Sequence, residues 1–172
     1  MTDVLMRPAT AEDADALHAL ISAHRSEGHL LPREVEEIAR HAGRFVVCEV
    51  DGEIKACAEL APLSRRVAEV RSLVVSKTFR RVGVAARLVS ELTSRARAAG
   101  FETLCAFTHD ARFFVRRNFS IVPHLWLPEK ISTDCLHCPL FRRCEQFAMI
   151  LSLEAVSRYA AMPAAVRPIR VA

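Results

Sequence analysis

The chain has 172 residues, 51% of them hydrophobic and 26% charged, enough for one domain with a core, too few for two ordinary ones and too apolar for a disordered chain. Its net charge of +4 comes from 24 Lys and Arg against 20 Asp and Glu; the arginines are dispersed, with Arg80-Arg81 and Arg116-Arg117 among the adjacent pairs, which argues against the basic stripe of a nucleic-acid binder and fits a small anionic ligand. The longest apolar stretches, such as 73–75 and 147–151, are strand-sized, so no membrane span is expected, and the start Met1-Thr2-Asp3 lacks a secretory pattern, so the cytoplasm is the default location.

Residues 3–7 read as a first strand. Thr10 caps a helix whose apolar positions Ala14, Leu17, Leu20 and Ile21 recur at helical spacing, with Asp13 in the first turn. A second helix is expected to start at Pro32, to turn Val35 and Ile38 inward and to stop at Gly43. The period then changes. Runs 45–50 and 53–60 flank Asp51-Gly52, the signal of a type I′ hairpin, and 68–75 is a third β-rich run. Residues 83–99 form a long amphipathic helix ended by Gly100. A strand at 102–108, a short helix at 110–117, a short strand at 119–122 and a last strand at 145–153 complete one domain over 1–154. Residues 155–172, with Pro163, Pro168 and three arginines, read as a surface extension.

The segment from Leu73 to Leu88 carries the most chemistry. Strand residues Leu73, Val74 and Val75 enter a loop, and Arg80-Arg81-Val82-Gly83-Val84-Ala85-Ala86 opens the longest helix. Unpaired N–H groups and the positive dipole end at such a helix start suit an anion, and Gly83 and Ala85 keep bulky side chains away from them. Arg80 and Arg81 add charge-assisted donors. Neither G-x-x-x-x-G-K-[ST] nor G-x-G-x-x-G occurs in a chain with five glycines. The pattern Arg80-x-x-Gly83-x-Ala85 resembles the coenzyme A pyrophosphate motif of the GNAT superfamily of N-acetyltransferases. The resemblance covers nearly all of 3–153. It implies an α/β fold with a mixed, mostly antiparallel central sheet flanked by helices, and acetyl-CoA as co-substrate. Arg81 stands where the family commonly has Gly, a departure that would weaken coenzyme A binding if the position needs positive φ.

Within the superfamily the chain resembles the short N-acetylglutamate synthase-like branch. The likeness lies in Gly28-His29-Leu30-Leu31-Pro32-Arg33, in Ala56-Cys57-Ala58-Glu59-Leu60 and in the block from Phe107 to Phe119, where Asn118 replaces the usual Gly. It implies that Arg33 holds a substrate carboxylate, that the Cys57 strand lines the acceptor pocket, and that the acceptor is an amino acid, L-glutamate first, which would belong to arginine biosynthesis. Glu69 matches the general base of histone acetyltransferases in the superfamily, or is a strand carboxylate paired to a neighbouring Arg. Val74 would supply the carbonyl-polarising amide. The Tyr that often serves as acid is replaced by Phe113 and Phe114, leaving Thr108, water or no residue.

Cys48, Cys57 and Cys105 sit in strand-like runs as small core residues. Cys135-x-x-Cys138 with His137 and Cys144 has metal-like spacing but only one and a half ligand pairs, so no metal is the expectation and zinc the minor alternative, beside a packed loop or a redox-responsive disulfide. A homodimer is compatible with these readings; a nucleic-acid or membrane partner is not expected. Two rivals to glutamate acetylation stand: another acceptor, such as a different amino acid or a protein N-terminus, and a non-catalytic acyl-CoA sensor.

Overall fold

A computed structural model describes residues 4–28 and 30–154; residues 1–3, His29 and the expected extension at 155–172 lie outside the described residues. Seven strands form one sheet: β1 (Val4–Pro8), β2 (Phe45–Val50), β3 (Glu53–Pro62), β4 (Val67–Val75), β5 (Thr103–Thr108), β6 (Ser120–Val122) and β7 (Phe147–Ser152). They lie in the order β1-β2-β3-β4-β5-β7-β6, every neighbouring pair antiparallel except β4 and β5. The expected mixed, mostly antiparallel sheet is therefore observed.

Alternation along the strands builds two cores. In β2, Val46, Cys48 and Val50 face one side while Phe45 and Val47 face the other, and all five are buried. A strand covered on both faces needs apolar residues in succession, which is why this run lacks the polar alternation of a one-sided strand. The first core is covered by α4 (Val84–Ala98) and by Phe114 of α5 (Ala111–Val115); the second lies under α1 (Ala14–Ala23) and α3 (Val35–Arg40). A smaller cluster around Leu127, Cys105 and Val122 lies at the start of α6 (Pro128–Thr133).

Local chemistry sets the boundaries. Asp51 and Gly52 take φ of 50° and 82°, as a type I′ turn requires. In α4 the buried positions Val84, Leu88, Val89, Leu92, Thr93 and Ala96 recur every three or four residues. Its end is a Schellman motif: Phe101 N–H donates to Ala96 C=O at 3.0 Å and Gly100 N–H to Arg97 C=O at 3.0 Å, with Gly100 at φ 81°. The helix expected from Pro32 instead begins at Val35, with Glu34 extended at its cap, and ends at Arg40. Pro32 favours an extended residue before it, and Arg33 is drawn inward to a buried partner. The sequence reading missed α6 and α2 (Arg25–Gly28), and the last strand starts at Phe147 rather than Glu145.

Leu92 is fully buried between α4 and the sheet. Leu92→Ala should lower unfolding free energy by about 2–5 kcal/mol with the native circular dichroism spectrum retained, as read by urea titration.

Candidate functional site

β4 and β5 pair for only three residues, from Val67 with Thr103 to Glu69 with Cys105. β4 then continues along β3 as far as Val75 opposite Ala56, and β5 along β7 as far as Thr108 opposite Phe147. Each strand is held by its outer neighbour, so the two part and leave facing edges. The wedge between them is a cleft of about 590 Å³, walled by Glu69 to Val75 on one side and by Phe107, Thr108 and Asp110 on the other.

A bulge shapes the β4 wall. Cys57 lies opposite Val74 and Glu59 opposite Arg71, so β4 carries one residue more than β3, and Ser72 takes φ 51°. Cys57 fills this bulge from behind: its thiol donates to Ser72 C=O at 3.5 Å and faces Val74 N–H. It is fully buried, and burial pushes its thiol up to about 12. The side chain expected in the acceptor pocket thus packs against the α1 and α3 core instead. Val74 is corrected as well, because its N–H turns towards β3, as does Ser76 N–H, which donates to Lys55 C=O at 2.8 Å. Strand alternation leaves the N–H groups of Leu73 and Val75 on the cleft side.

One mouth of the cleft is the loop before α4. Arg87 is the first residue whose N–H closes a helical bond, to Gly83 C=O at 3.1 Å, and no side chain caps the start, so Val84, Ala85 and Ala86 present unpaired N–H groups. Arg81 takes φ 70°, the left-handed conformation that makes a glycine usual there, and Gly83 takes φ 84°. A Cβ on Gly83 would meet nothing within 4 Å, so backbone conformation, not crowding, explains the glycine. Arg80 donates to Val75 C=O at 3.1 Å and pairs with Glu27 of α2 at 2.6 Å; Lys77 also pairs with Glu27, at 2.9 Å. Those two cations hold the exposed Glu27 carboxyl at about 2. The exposed Arg81 side chain has no partner among the described residues.

The other end is a buried charge network. Glu69 is 3% exposed, and its Oε2 receives Arg71 Nη2 at 2.7 Å, Arg71 Nε at 3.1 Å and Lys130 Nζ at 2.8 Å, while Oε1 receives only Lys130, at 2.7 Å. Asp134 Oδ2 bridges the same cations, 2.6 Å from Arg71 Nη2 and 2.8 Å from Lys130 Nζ. Arg71 Nη1 has no hydrogen-bond partner among the described residues. Beside this network Arg33 is itself buried: Nη1 donates to Glu59 at 2.6 Å and to Ser72 Oγ at 3.2 Å, and Nε and Nη2 donate to Glu37 at 3.2 and 3.0 Å. Four of its five N–H bonds are therefore committed within the protein, leaving one on Nη2. Thr108 lies at the cleft, where its hydroxyl accepts Asp110 N–H at 3.0 Å and keeps its own proton to donate.

Lys130, Asp134, Glu59 and Glu27 were not found from the sequence. Pro128 at a first helical position followed by Glu129 could have revealed α6, with Lys130 on it four residues before Asp134 at its C-terminal cap. The cysteine-rich segment offers no metal centre: among the described residues no three His, Cys, Asp or Glu side chains gather to hold an ion, and Cys135, Cys138 and Cys144 are free thiols. No described helix is long and apolar enough to cross a membrane.

Removing one partner of a buried ion pair strands the other charge. Lys130→Met should therefore destabilise the fold by about 3 kcal/mol, the low end of the usual range because Arg71 still partners Glu69; equilibrium denaturation at neutral pH checks it.

The profile of the acetyltransferase (GNAT) family matches residues 14–119. An uncharacterized N-acetyltransferase of Chlorobaculum tepidum is 30% identical over 151 residues, covering 88% of this chain and 97% of the relative. The amino-acid acetyltransferase of Azotobacter vinelandii is 37% identical over 116 residues, 66% of this chain but only 27% of that longer protein. Among solved structures, N-acetylglutamate synthase of Neisseria gonorrhoeae, complexed with coenzyme A and N-acetyl-glutamate, superposes with a TM-score of 0.78 at 25% identity, over 89% of this chain and 36% of that one. With the parted strands and the anion-ready helix start, these likenesses make the chain a member of the acetyltransferase (GNAT) family, an N-acetyltransferase that uses acetyl-CoA as co-substrate.

Proposed function

We propose that the chain acetylates the amine of an amino acid, with L-glutamate as acceptor, the reaction that would tie it to arginine biosynthesis. The observation that carries the reading is the layout of one cleft, with Arg80, from the loop that leads into the anion-ready helix start, at one mouth and a set of cations and carboxylates around buried Glu69 at the other. The amino-acid acetyltransferase relatives and the N-acetylglutamate synthase neighbour support the acceptor. The chain spans about a quarter of those amino-acid acetyltransferases.

In this reading the N–H groups of Val84, Ala85 and Ala86, with Arg80 and Arg81, hold the pyrophosphate, while Val82 and Gly83 shape the turn. Arg80 must exchange Glu27 for the phosphate, a small cost because ion pairs this exposed contribute little to stability. Leu73 and Val75 offer their N–H groups to the donor's carbonyl groups, taking the role first assigned to Val74. Acetyl-CoA supplies the acyl group as a thioester. Glu69 takes the proton of the acceptor ammonium through Oε1, its less occupied oxygen, directly or through one water. Arg71 Nη1 and the spare N–H of Arg33 donate to the carboxylates of the acceptor substrate, so Arg33 keeps the one-carboxylate role expected of it and Arg71 adds a second donor.

A second reading rests on the charges at that end. Arg33, Arg71 and Lys130 face Glu37, Glu59, Glu69 and Asp134, a surplus of one negative charge. Such a surplus favours an acceptor whose side chain is uncharged, such as glutamine.

Thiol release from acetyl-CoA with a panel of glutamate, glutamine, neutral amino acids and an N-terminal peptide separates the readings. Glutamate should exceed glutamine in kcat/KM by about tenfold, about 1.4 kcal/mol. Equal or faster glutamine turnover would overturn glutamate in favour of the second reading, and no release with any amine would leave a sensor. Gly83→Val forces a β-branched side chain onto a positive φ and should raise the coenzyme A dissociation constant about tenfold in calorimetry. Glu69→Gln should cut kcat about a hundredfold, with partial recovery at high pH and little change in coenzyme A affinity; a wild-type kcat from that variant would return Glu69 to a purely structural pairing.

A further inference from the structure

Acetyl transfer leaves three cysteines without a role. The chain's thiols fall into two groups. Cys48, Cys57 and Cys105 are at most 1% exposed within β2, β3 and β5, and burial raises all three thiols above their ordinary value, which leaves them unreactive. Cys135 and Cys138 are half-buried and Cys144 is exposed, all within one excursion between α6 and β7.

A single 3-10 turn, Cys135–His137, sets the geometry of the first two. Cys138 N–H donates to Cys135 C=O at 3.0 Å. Closing a turn this way brings the outer Cα atoms within about 7 Å, the span that a disulfide bridges. Side chains three apart on a 3-10 turn also leave from the same side. Cys144 lies beyond a second such turn, Phe141–Arg143.

The turn is also tied to the cleft. Asp134 immediately precedes Cys135; its N–H donates to Lys130 C=O at 3.0 Å and its C=O accepts His137 N–H at 3.2 Å. Its carboxylate holds Arg71 and Lys130, and those two hold Glu69. A change of backbone at 135–138 therefore acts on the residue that bridges both cations at the acceptor end.

We propose that Cys135 and Cys138 are an oxidisable dithiol, a modification site whose closure to a disulfide displaces Asp134 and weakens acceptor binding. The oxidant is a hydroperoxide. The Cys138 thiol gives its proton to solvent, its thiolate attacks a peroxide oxygen, the O–O bond breaks, and the departing hydroxide takes up a proton as water, leaving a sulfenic acid on Cys138. The Cys135 sulfur then displaces that hydroxyl as a second water, so two thiols and one hydrogen peroxide give one disulfide and two waters. Burial holds the Cys135 thiol above its ordinary value, which disfavours it as the thiolate that attacks the peroxide first. A dithiol reductant reverses the reaction by exchange. The inference rests on acetyl transfer and not on the identity of the acceptor.

The full chain is treated with hydrogen peroxide, mapped by mass spectrometry, and assayed with whichever amine releases thiol fastest. The expected result is loss of two hydrogens confined to a Cys135–Cys138 link, with the acceptor KM raised at least about fivefold, the low end of coupling between linked sites. The acetyl-CoA KM should stay unchanged, and dithiothreitol should restore the reduced values. Cys138→Ser should keep the basal rate and lose the peroxide effect. A link to Cys144 instead, sulfinic acid without a link, or a Cys135–Cys138 disulfide with unchanged acceptor KM would each overturn the proposal. Because the link is read by mass, its absence is distinguishable from a wrong acceptor.

Discussion

Two adjacent parallel strands that stop pairing after three residues are the constraint from which the rest follows. Backbone N–H and C=O groups rarely stay unpaired away from water, so strands that part must be held apart and must gain other partners at the exposed edges. β3 holds β4 on from Ala68 to Val75 and β7 holds β5 along its full length, and the bulge at Ser72 interrupts the β4 edge just beyond the parting after Glu69. α4 packs across the first core and delivers its uncapped start to one end of the wedge. An extended thioester cofactor with amide groups along its arm and a pyrophosphate at its end is chemically matched to such edges.

The charged end of the cleft shows a second constraint, the need to pair every buried charge. Glu69 and Lys130 are both under a tenth exposed, and neither would be tolerated alone in that setting. Together with Arg71 and Asp134 they close a neutral set of four, and Lys130 also lies 5.2 Å from the Phe107 ring centre. The same set pins α6 to the sheet. The wall of the cleft and the fold are therefore held by one group of contacts, in which Asp134 adjoins the cysteine-bearing excursion.

What could be read from the sequence was local. The Asp51-Gly52 hairpin, the amphipathic α4 and its Gly100 stop depend on near neighbours, and a run of residues carries them. The conformation of the glycine-poor loop before α4 was legible for the same reason, including the departure at Arg81: the position does take a positive φ, with arginine in place of glycine. Asn118 likewise keeps φ 65° after α5, a conformation asparagine tolerates. Illegible were contacts between distant residues. Lys130 meets Glu69 across 61 positions and Arg33 meets Glu59 across 26, and no spacing rule pairs them. The inward turn of Arg33 also shortened the expected second helix. The bulge, which turns Val74 N–H towards β3 and is backed by Cys57, is a one-residue register shift that no strand propensity reveals.

Amide hydrogen exchange of the whole chain, with and without saturating coenzyme A, tests most directly the claim that the parted strands are the cofactor site. The account predicts new protection at Leu73 and Val75 on β4 and at Val84, Ala85 and Ala86 at the start of α4, with Val74 and Ser76, already turned to β3, unchanged. Coenzyme A binding that left those five amides exchanging as before, or protected the chain uniformly, would contradict it.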